Sequence, residues 1–385
     1  MTTRKTRVVY LSWIPLTAKV ARDWYLDHLL KSSIVNVEFW DITYLLRGEV
    51  TEYHQRTAAY VREFRTLAIL ADAIADQSDS IFVLLLPKTW KFRGVFRLLT
   101  LHRCKTVIVK WGAMPAWGAT SRASMLRWVL SPSVLLSKIR NRIYAFILGQ
   151  SWYVQPYELV FAAGLVMLSQ PEAARRLVAI GLCDFEQYVH SWKGERLVEG
   201  KYAVFLDIYF PFHSDLAQVG MRPLDPESYY TELDRFFAVL ERQCGLEIVI
   251  AAHPKAHYHN DEFKGRKVIG EKTATLVRDA ELVICHASTS VSYAVLYRKP
   301  VWTIYTDEMT VLYQQTYMQN VAALAAYLKI PSLNTGRVDG SILPEIERPN
   351  EGRYAAYEKD FLVTPGIEEG QSKEIFLREI VALGN

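Results

Sequence analysis

No stretch of the 385-residue chain is apolar for long enough to cross a bilayer. Its longest strongly apolar run, Leu159–Leu168, is about ten residues, where a membrane helix takes about twenty. The N-terminus passes from Met1-Thr2-Thr3-Arg4-Lys5 straight into the apolar Arg7–Leu11. A secretory apolar region with a small-residue cleavage site is therefore not expected. Cysteine is scarce: Cys104, Cys183, Cys244 and Cys285 lie far apart without CxxC spacing. That argues against a zinc ribbon or a disulfide framework and for thiols in a reducing, cytoplasmic setting. Internal repeats and low-complexity tracts are also missing.

The most informative absence is of negative charge. Between Asp79 and Glu158 there is no acidic residue, yet twelve basic ones occur there, from Lys88, Lys91 and Arg93 to Lys138, Arg140 and Arg142. With a formal net charge of +4, the rest of the chain sums to about −8. A block of one sign seeks a polyanion, an anionic membrane or a phosphorylated ligand, although a solvated helical face reads the same way. No nucleic-acid-binding module accompanies it, so nucleic acid is not expected as a partner. Within the block, Ser133–Leu148 reads as a helix. Leu135, Leu136, Ile139, Ile143, Phe146 and Ile147 recur on one face and are bordered by Lys138 and Arg142. Trp117 and Trp128 stand upstream. Basic residues beside an apolar stripe describe an interfacial helix. Residues 88–148 are thus a candidate contact with an anionic membrane, and a stripe packed on a sheet is the competing reading.

What is present is a repeated alternation of short apolar runs and amphipathic stretches. Strands are expected at Arg7–Trp13, Val35–Asp41, Ser80–Pro87, Lys105–Lys110 and Glu158–Ala163, with helices at Ala18–Lys31, Glu52–Asp76, Arg93–Leu101 and Ser133–Leu148. A polar, turn-rich stretch, Ser191–Gly200, then interrupts the pattern. A second series follows: strands at Tyr202–Asp207, Leu246–Ala252, Lys267–Ile269, Glu281–His286 and Pro300–Tyr305, with helices at Pro226–Gln243, Thr273–Ala280 and Val291–Arg298. Val/Ile/Leu-rich strands separated by helices indicate parallel sheets covered on both faces. The expected fold is α/β: two Rossmann-like, doubly wound domains facing across a cleft. They span residues 1–195 and 200–325, with a tail and helix over 326–385 packing back toward the first.

Ligands in such folds bind at the carboxyl ends of the strands. Two strand ends in the second series carry suitable chemistry. One is His253-Pro254-Lys255, where proline holds His253 extended and delays the next helix. The other is His286-Ala287-Ser288-Thr289-Ser290, where hydroxyls meet the N–H groups of a helix start. Either Ser288 or Ser290 could also be a plain helix cap. Together, about 32 residues apart and both after strands of one series, the two motifs point to a shared phosphate site. Nearby, Glu271-Lys272-Thr273 opens a helix after a short strand. Asp207, His213 and Asp215 follow the first strand of this series. In the first domain, Asp41 ends a strand, and Ser12 and Thr17 bracket the loop after the opening one. His257 and His259 fall on opposite sides of an extended chain with no cysteine near, so no metal site is expected.

The run Ala280–Val301, with His253-Pro254, resembles the C-terminal domain of GT-B glycosyltransferases that build bacterial surface polysaccharides. The sialyltransferase-like and Kdo-transferase-like enzymes, with their His-Pro and Ser/Thr motifs, are the nearest in pattern. The likeness covers about 100 residues, Tyr202–Tyr305. It implies that His253, Ser288, Thr289 and Ser290 hold the phosphate of a CMP-activated sugar, with Lys255 and His286 beside them. It implies further that the loop at Glu271, Lys272 and Thr273 holds the nucleobase, and that Ser12, Thr17, His213 and Asp215 face the cleft or the acceptor. The expected reaction is metal-independent transfer of a Kdo or nonulosonate unit to a bacterial surface glycan or lipid-linked acceptor, with no cofactor besides the donor. The acidic-acidic-Gly motif that carries the catalytic acid in those families is absent from residues 1–195, which leaves Asp207 and Asp41 as candidates. A nucleotide-diphosphate-hexose transferase, a CDP-glycerol-type phosphotransferase and a non-catalytic assembly protein are the alternatives.

Overall fold

The computed structural model describes residues 5–48, 58–110, 114–115, 132–170, 173–212, 222–254, 256–258, 261–314, 317–338, 342–368 and 370–385. The chain divides into two compact units.

The first unit comprises Met1–Trp111, Ser121–Gly181 and Gly366–Asn385. Its strands are β1 (Thr6–Ser12), β2 (Val35–Asp41), β3 (Val61–Glu63), β4 (Ile81–Leu85), β5 (Lys105–Lys110), β6 (Tyr157–Ala163) and β7 (Ala174–Ile180). All pair in parallel, in the order β3-β2-β1-β4-β5-β6-β7. Every residue of β4 is buried, as expected of a parallel strand covered on both faces. Trp40 is fully buried between Phe64 at 4.9 Å and Phe82 at 5.6 Å. Helix Arg93–Leu101 lays Val95, Phe96 and Leu99 into the core. The last helix, Gln371–Gly384, returns to this unit, with Phe376 buried between Tyr25 (5.2 Å) and Phe161 (4.7 Å). At its end a Cβ on Gly384 would come within 2.5 Å of the Thr6 side chain, so the close approach to β1 requires glycine.

Two helices expected in this unit are different. Ala18–Lys31 is broken into Ala18–Asp23 and Leu26–Leu30, because Tyr25 turns left-handed at φ 57°. Within Glu52–Asp76, Val61–Glu63 is a strand and the helix starts only at Leu67, where Thr66 accepts the Ile69 N–H at 3.3 Å. Residues 49–57 lie outside the described ones.

The second unit comprises Gly112–Thr120 and Leu182–Pro365. Its strands are β8 (Tyr202–Leu206), β9 (Glu247–Ala251), β10 (Lys267–Ile269), β11 (Leu282–Cys285), β12 (Val301–Tyr305) and β13 (Ser332–Asn334). They form one parallel sheet ordered β10-β9-β8-β11-β12-β13. Helix Pro226–Cys244 starts where Asp225 accepts the Ser228 N–H at 2.8 Å and ends at Gly245, φ 64°. It buries Tyr229, Leu233, Phe236, Phe237 and Leu240 in the core. The division falls at Gly181/Leu182, ahead of the polar stretch Ser191–Gly200. That stretch is tied down: the Arg278 guanidinium donates to the carbonyls of Ser191, Gly194 (2.7 Å) and Glu195 (3.3 Å). Helix Cys183–Ser191 belongs here too, since Asp184 accepts the hydroxyls of Ser292 (2.5 Å) and Tyr293 (3.2 Å). No helix among the described residues is long and apolar enough to cross a membrane.

Candidate functional site

In the second sheet the strand order reverses between β8 and β11, the place where doubly wound sheets open a crevice. The register aligns Leu206 of β8 with Ala251 of β9 and Cys285 of β11. The segments that leave these three strands carry Asp207, His253 and the 286–290 loop to one edge.

Asp207 extends the ladder through its N–H to the Ala251 carbonyl (3.1 Å), and its carboxyl accepts the Tyr258 hydroxyl at 2.5 Å. It is only 5% exposed. Burial pushes its pKa up to about 6. The Tyr258 hydroxyl and the N–H groups of Tyr209 and Ile208 oppose that rise, and the Glu262 carboxylate adds to it. Tyr209 is left-handed at φ 54° and its hydroxyl donates to the His257 carbonyl at 2.9 Å, a strained turn of the kind that collects at functional sites. Electrostatically coupled to Asp207 is the buried Tyr230, whose hydroxyl has no partner among the described residues.

His253 is half-buried and starts a turn closed by the Ala256 N–H on its own carbonyl (2.9 Å), with Pro254 exposed at the bend. From that turn the chain returns through exposed His257 to Tyr258, which reaches Asp207. Lys255, His213 and Asp215 lie outside the described residues.

The 286–290 loop separates into a buried strut and a polar rim. His286 is fully buried. Its Nδ1–H donates to the Ile304 carbonyl at 2.7 Å, and the Tyr229 hydroxyl donates to Nε2 at 2.8 Å. This pairing fixes the neutral tautomer. Burial lowers the imidazole pKa to about 4, against a smaller opposite effect of the Ile304 bond. Both ring nitrogens being taken, His286 braces β11 against β12 and helix Pro226–Cys244, and the ligand-binding role expected of it does not fit. Ala287 is held by Tyr317, whose hydroxyl accepts its N–H (2.8 Å) and donates to its carbonyl (2.7 Å). Beyond it Ser288 and Ser290 are half-buried and Thr289 is exposed.

The helix start is tighter than the sequence suggests. The N–H groups of Val291, Ser292 and Tyr293 bond the carbonyls of Ser288, Thr289 and Ser290 at 3.1–3.2 Å, and the Ser290 N–H reaches Ser288 Oγ at 3.3 Å. These amides are thus engaged, and Ser290 makes no side-chain cap bond. What the loop offers a ligand is its hydroxyls.

Glu271, Lys272 and Thr273 follow β10 at the sheet's edge. Glu271 is exposed and left-handed at φ 57°, Lys272 is exposed at the cap position without a side-chain bond, and Thr273 is the first helical residue rather than the cap. In the first unit the expected residues make local hydrogen bonds. Ser12 is fully buried, donating to the Ile14 carbonyl (2.7 Å) and accepting its N–H (3.2 Å). Thr17 caps helix Ala18–Asp23 through the Val20 N–H (3.1 Å). Asp41 is buried and accepts the Thr43 N–H at 2.7 Å. Sequence reasoning missed Tyr229, Tyr258 and Tyr317. The only signal for them is their density in this region, because no spacing rule tells a phenol that holds a loop from one that fills a core.

The architecture is that of two Rossmann-like parallel-sheet domains, the pair from which the GT-B fold is made. No family model and no curated protein sequence matches the chain. Among solved structures it is similar to spinosyn forosaminyltransferase SpnP, with 13% identity, 98% of this chain and 99% of that chain covered, and a TM-score of 0.50. It is also similar to the UDP-GlcNAc 2-epimerase from Methanocaldococcus jannaschii (11% identity, 98% and 99% covered, TM-score 0.48). A third is the glycosyltransferase SnogD from Streptomyces nogalater (12%, 99% and 96%, 0.42). At 13% identity the likeness to the first of these is one of fold alone.

Proposed function

We propose that the chain is a glycosyltransferase that holds a nucleotide-activated sugar at the reversal point of its second sheet. The observation that carries this reading is the gathering of His253, the Ser288-Thr289-Ser290 hydroxyls and Asp207 at the ends of three adjacent parallel strands. His253 and the hydroxyls, joined by Lys255, take the donor phosphate and stabilise the charge that builds there as the nucleotide leaves. Each hydrogen bond to charged phosphate contributes about 1.5–3 kcal/mol. Glu271, Lys272 and Thr273 hold the base. Asp207, titrating near 6, has the poise of a proton acceptor for the acceptor hydroxyl; Asp41 is the alternative carboxylate. The donor is a CMP-linked 3-deoxy-ulosonic sugar, and the acceptor is a surface glycan or its lipid-linked precursor. A second reading, a nucleotide-diphosphate-hexose donor, draws on the fold likeness to a forosaminyltransferase. Incubation with CMP-Kdo, UDP-hexose and TDP-hexose, followed by mass spectrometry of free nucleotide, tests both. CMP release that falls about 30- to 1,000-fold in Ser288→Ala/Ser290→Ala (about 2–4 kcal/mol) is expected. Release at the wild-type rate in that variant would remove the site.

The same reading includes a peripheral membrane contact. Helix Pro132–Gly149 presents Ile139 (46% exposed), Ile143 (50%) and Phe146 (69%) to solvent, which is i, i+4, i+7 spacing. Arg140 and Arg142 are exposed beside them, and Trp152, just beyond the helix, is 70% exposed. The opposite side docks through Tyr144, stacked on Trp90 at 4.2 Å, and buried Leu148. An exposed apolar stripe flanked by arginines suits the headgroup layer of an anionic leaflet.

A further inference from the structure

Asp207 leaves β8 into an aromatic setting. Helix Pro226–Cys244 brings Tyr229 and Tyr230 toward it, and the segment after β9 brings Tyr258, Glu262 and the buried Phe263. Tyr209 follows it in the chain. Among the described residues, the titratable groups that act on the carboxyl or feel its charge are therefore four phenols and the Glu262 carboxylate. A carboxyl that is 5% exposed in such company is driven toward its protonated form.

One side chain works against that drive. The Tyr258 hydroxyl donates to Asp207 Oδ2 at 2.5 Å, while Oδ1 has no hydrogen-bond partner among the described residues. The Tyr258 ring is held edge-on by Tyr209 (5.6 Å, 89°) and by Phe263 (5.4 Å, 76°). Phe263 is itself edge-on to Tyr230 at 5.4 Å. Two perpendicular neighbours leave the ring little freedom, so the aim of its hydroxyl is set before any ligand arrives. The backbone N–H of His253 bonds the same phenol oxygen. A line of hydrogen bonds thus runs from the His253 turn through Tyr258 to the carboxyl. Tyr209 fastens that turn a second time, through its hydroxyl on the His257 carbonyl at 2.9 Å.

We infer that Tyr258 is a positioning residue for Asp207: its hydroxyl fixes the carboxyl, favours its ionised form and ties it to the turn that bears His253. In one respect this rests on the transferase reading, namely that Asp207 takes the proton of the acceptor hydroxyl. The hydrogen bond and its effect on ionisation do not depend on that reading. Loss of one hydrogen bond to a carboxylate raises its midpoint by about one pH unit. A group that titrates near 6 is ionised at neutral pH, whereas one raised to about 7 is only half so. Tyr258 therefore keeps Asp207 fit to accept a proton.

Carbon-13 NMR of the full chain labelled at the aspartate carboxyl carbons tests this without any substrate, with Asp207→Asn assigning the resonance. Asp207 should titrate near pH 6 in wild type and about one pH unit higher in Tyr258→Phe. Phenylalanine keeps both ring contacts. 3-Fluorotyrosine at position 258 is a stronger donor of nearly the same shape and should move the midpoint down, which serves if Tyr258→Phe folds poorly. An unmoved midpoint in either variant would overturn the inference. The second readout is nucleotide release against pH, from whichever of CMP-Kdo, UDP-hexose and TDP-hexose the wild type cleaves. Its acid limb should shift upward in Tyr258→Phe with the carboxyl midpoint, and the rates should converge at high pH. A packing role alone would slow release at every pH and leave the carbon-13 midpoint in place. A midpoint that moves while the rate limb does not, or in a chain that releases no nucleotide, would refute Asp207 as proton acceptor and leave the Tyr258 assignment standing.

Discussion

Asp207 and His286 occupy neighbouring strand ends and respond to acid with opposite sign. Asp207 keeps its proton to about pH 6 in the folded chain against an ordinary 3.8, burial being the main cause. Its contribution is full below pH 3.8 and is lost as the pH rises through 6, about 3 kcal/mol in all. His286 stays neutral down to about pH 4 against an ordinary 6.5. Its contribution is present above 6.5 and is lost as the pH falls toward 4, again about 3 kcal/mol. The two slopes oppose each other between pH 4 and 6. Asp207→Asn removes one of them, so the variant should gain on wild type by about 1–3 kcal/mol as the pH rises from 4 to 7.5. Urea unfolding at several pH values reads this directly, and a difference independent of pH would show that Asp207 does not titrate in this window. The sequence could not tell these two residues apart. All of β11 is buried, so alternation assigns His286 to neither face, and only the Ile304 and Tyr229 contacts reveal a strut.

Among the elements, central strands were legible and most edge strands were not. β2 and β5, inside the first sheet, begin and end where the expected strands do, and so does β10, although it lies at an edge of the second sheet. β3, β7 and β13 escaped notice. β3 and β7 carry exposed arginines, and all three lie at sheet edges where solvent accepts polar side chains. Helix Pro132–Gly149 shows the same limit in another form. Its periodicity was visible, but only the structure shows that Ile139, Ile143 and Phe146 face outward. Flotation with phosphatidylglycerol vesicles is expected to capture the protein, and phosphatidylcholine vesicles are not. Arg140→Glu/Arg142→Glu should lower capture by about 2 kcal/mol, some thirtyfold, given about 1 kcal/mol per basic residue near an anionic surface. Equal capture by neutral vesicles, or an unchanged variant, would return this helix to ordinary solvated surface. These exposed positions leave the core untouched, so folding should be unaffected.

At the scale of the whole molecule, both sheets have the same strand order around a reversal point. Two α/β series could be read from the apolar runs. The assignment of Leu182–Ser191 to the second unit could not, because it depends on Asp184 meeting Ser292 and Tyr293 more than 100 residues away. The return of Gln371–Gly384 to the first sheet likewise rests on Phe376 finding Tyr25 and Phe161. The candidate donor site was half legible: its hydroxyls and His253 stand in short motifs, while the phenols that hold them are dispersed in sequence. The central claim is that the second unit binds a nucleotide through those hydroxyls. Isothermal titration of the full chain with CMP, UDP and TDP tests it most directly, with Ser288→Ala/Ser290→Ala and Asp41→Asn as comparisons. One of the three nucleotides should bind wild type and Asp41→Asn alike, and the loss of two hydroxyls should weaken it at least tenfold, about 1.4 kcal/mol or more. Binding that ignores the serine changes, or no binding of any of the three, would contradict the account.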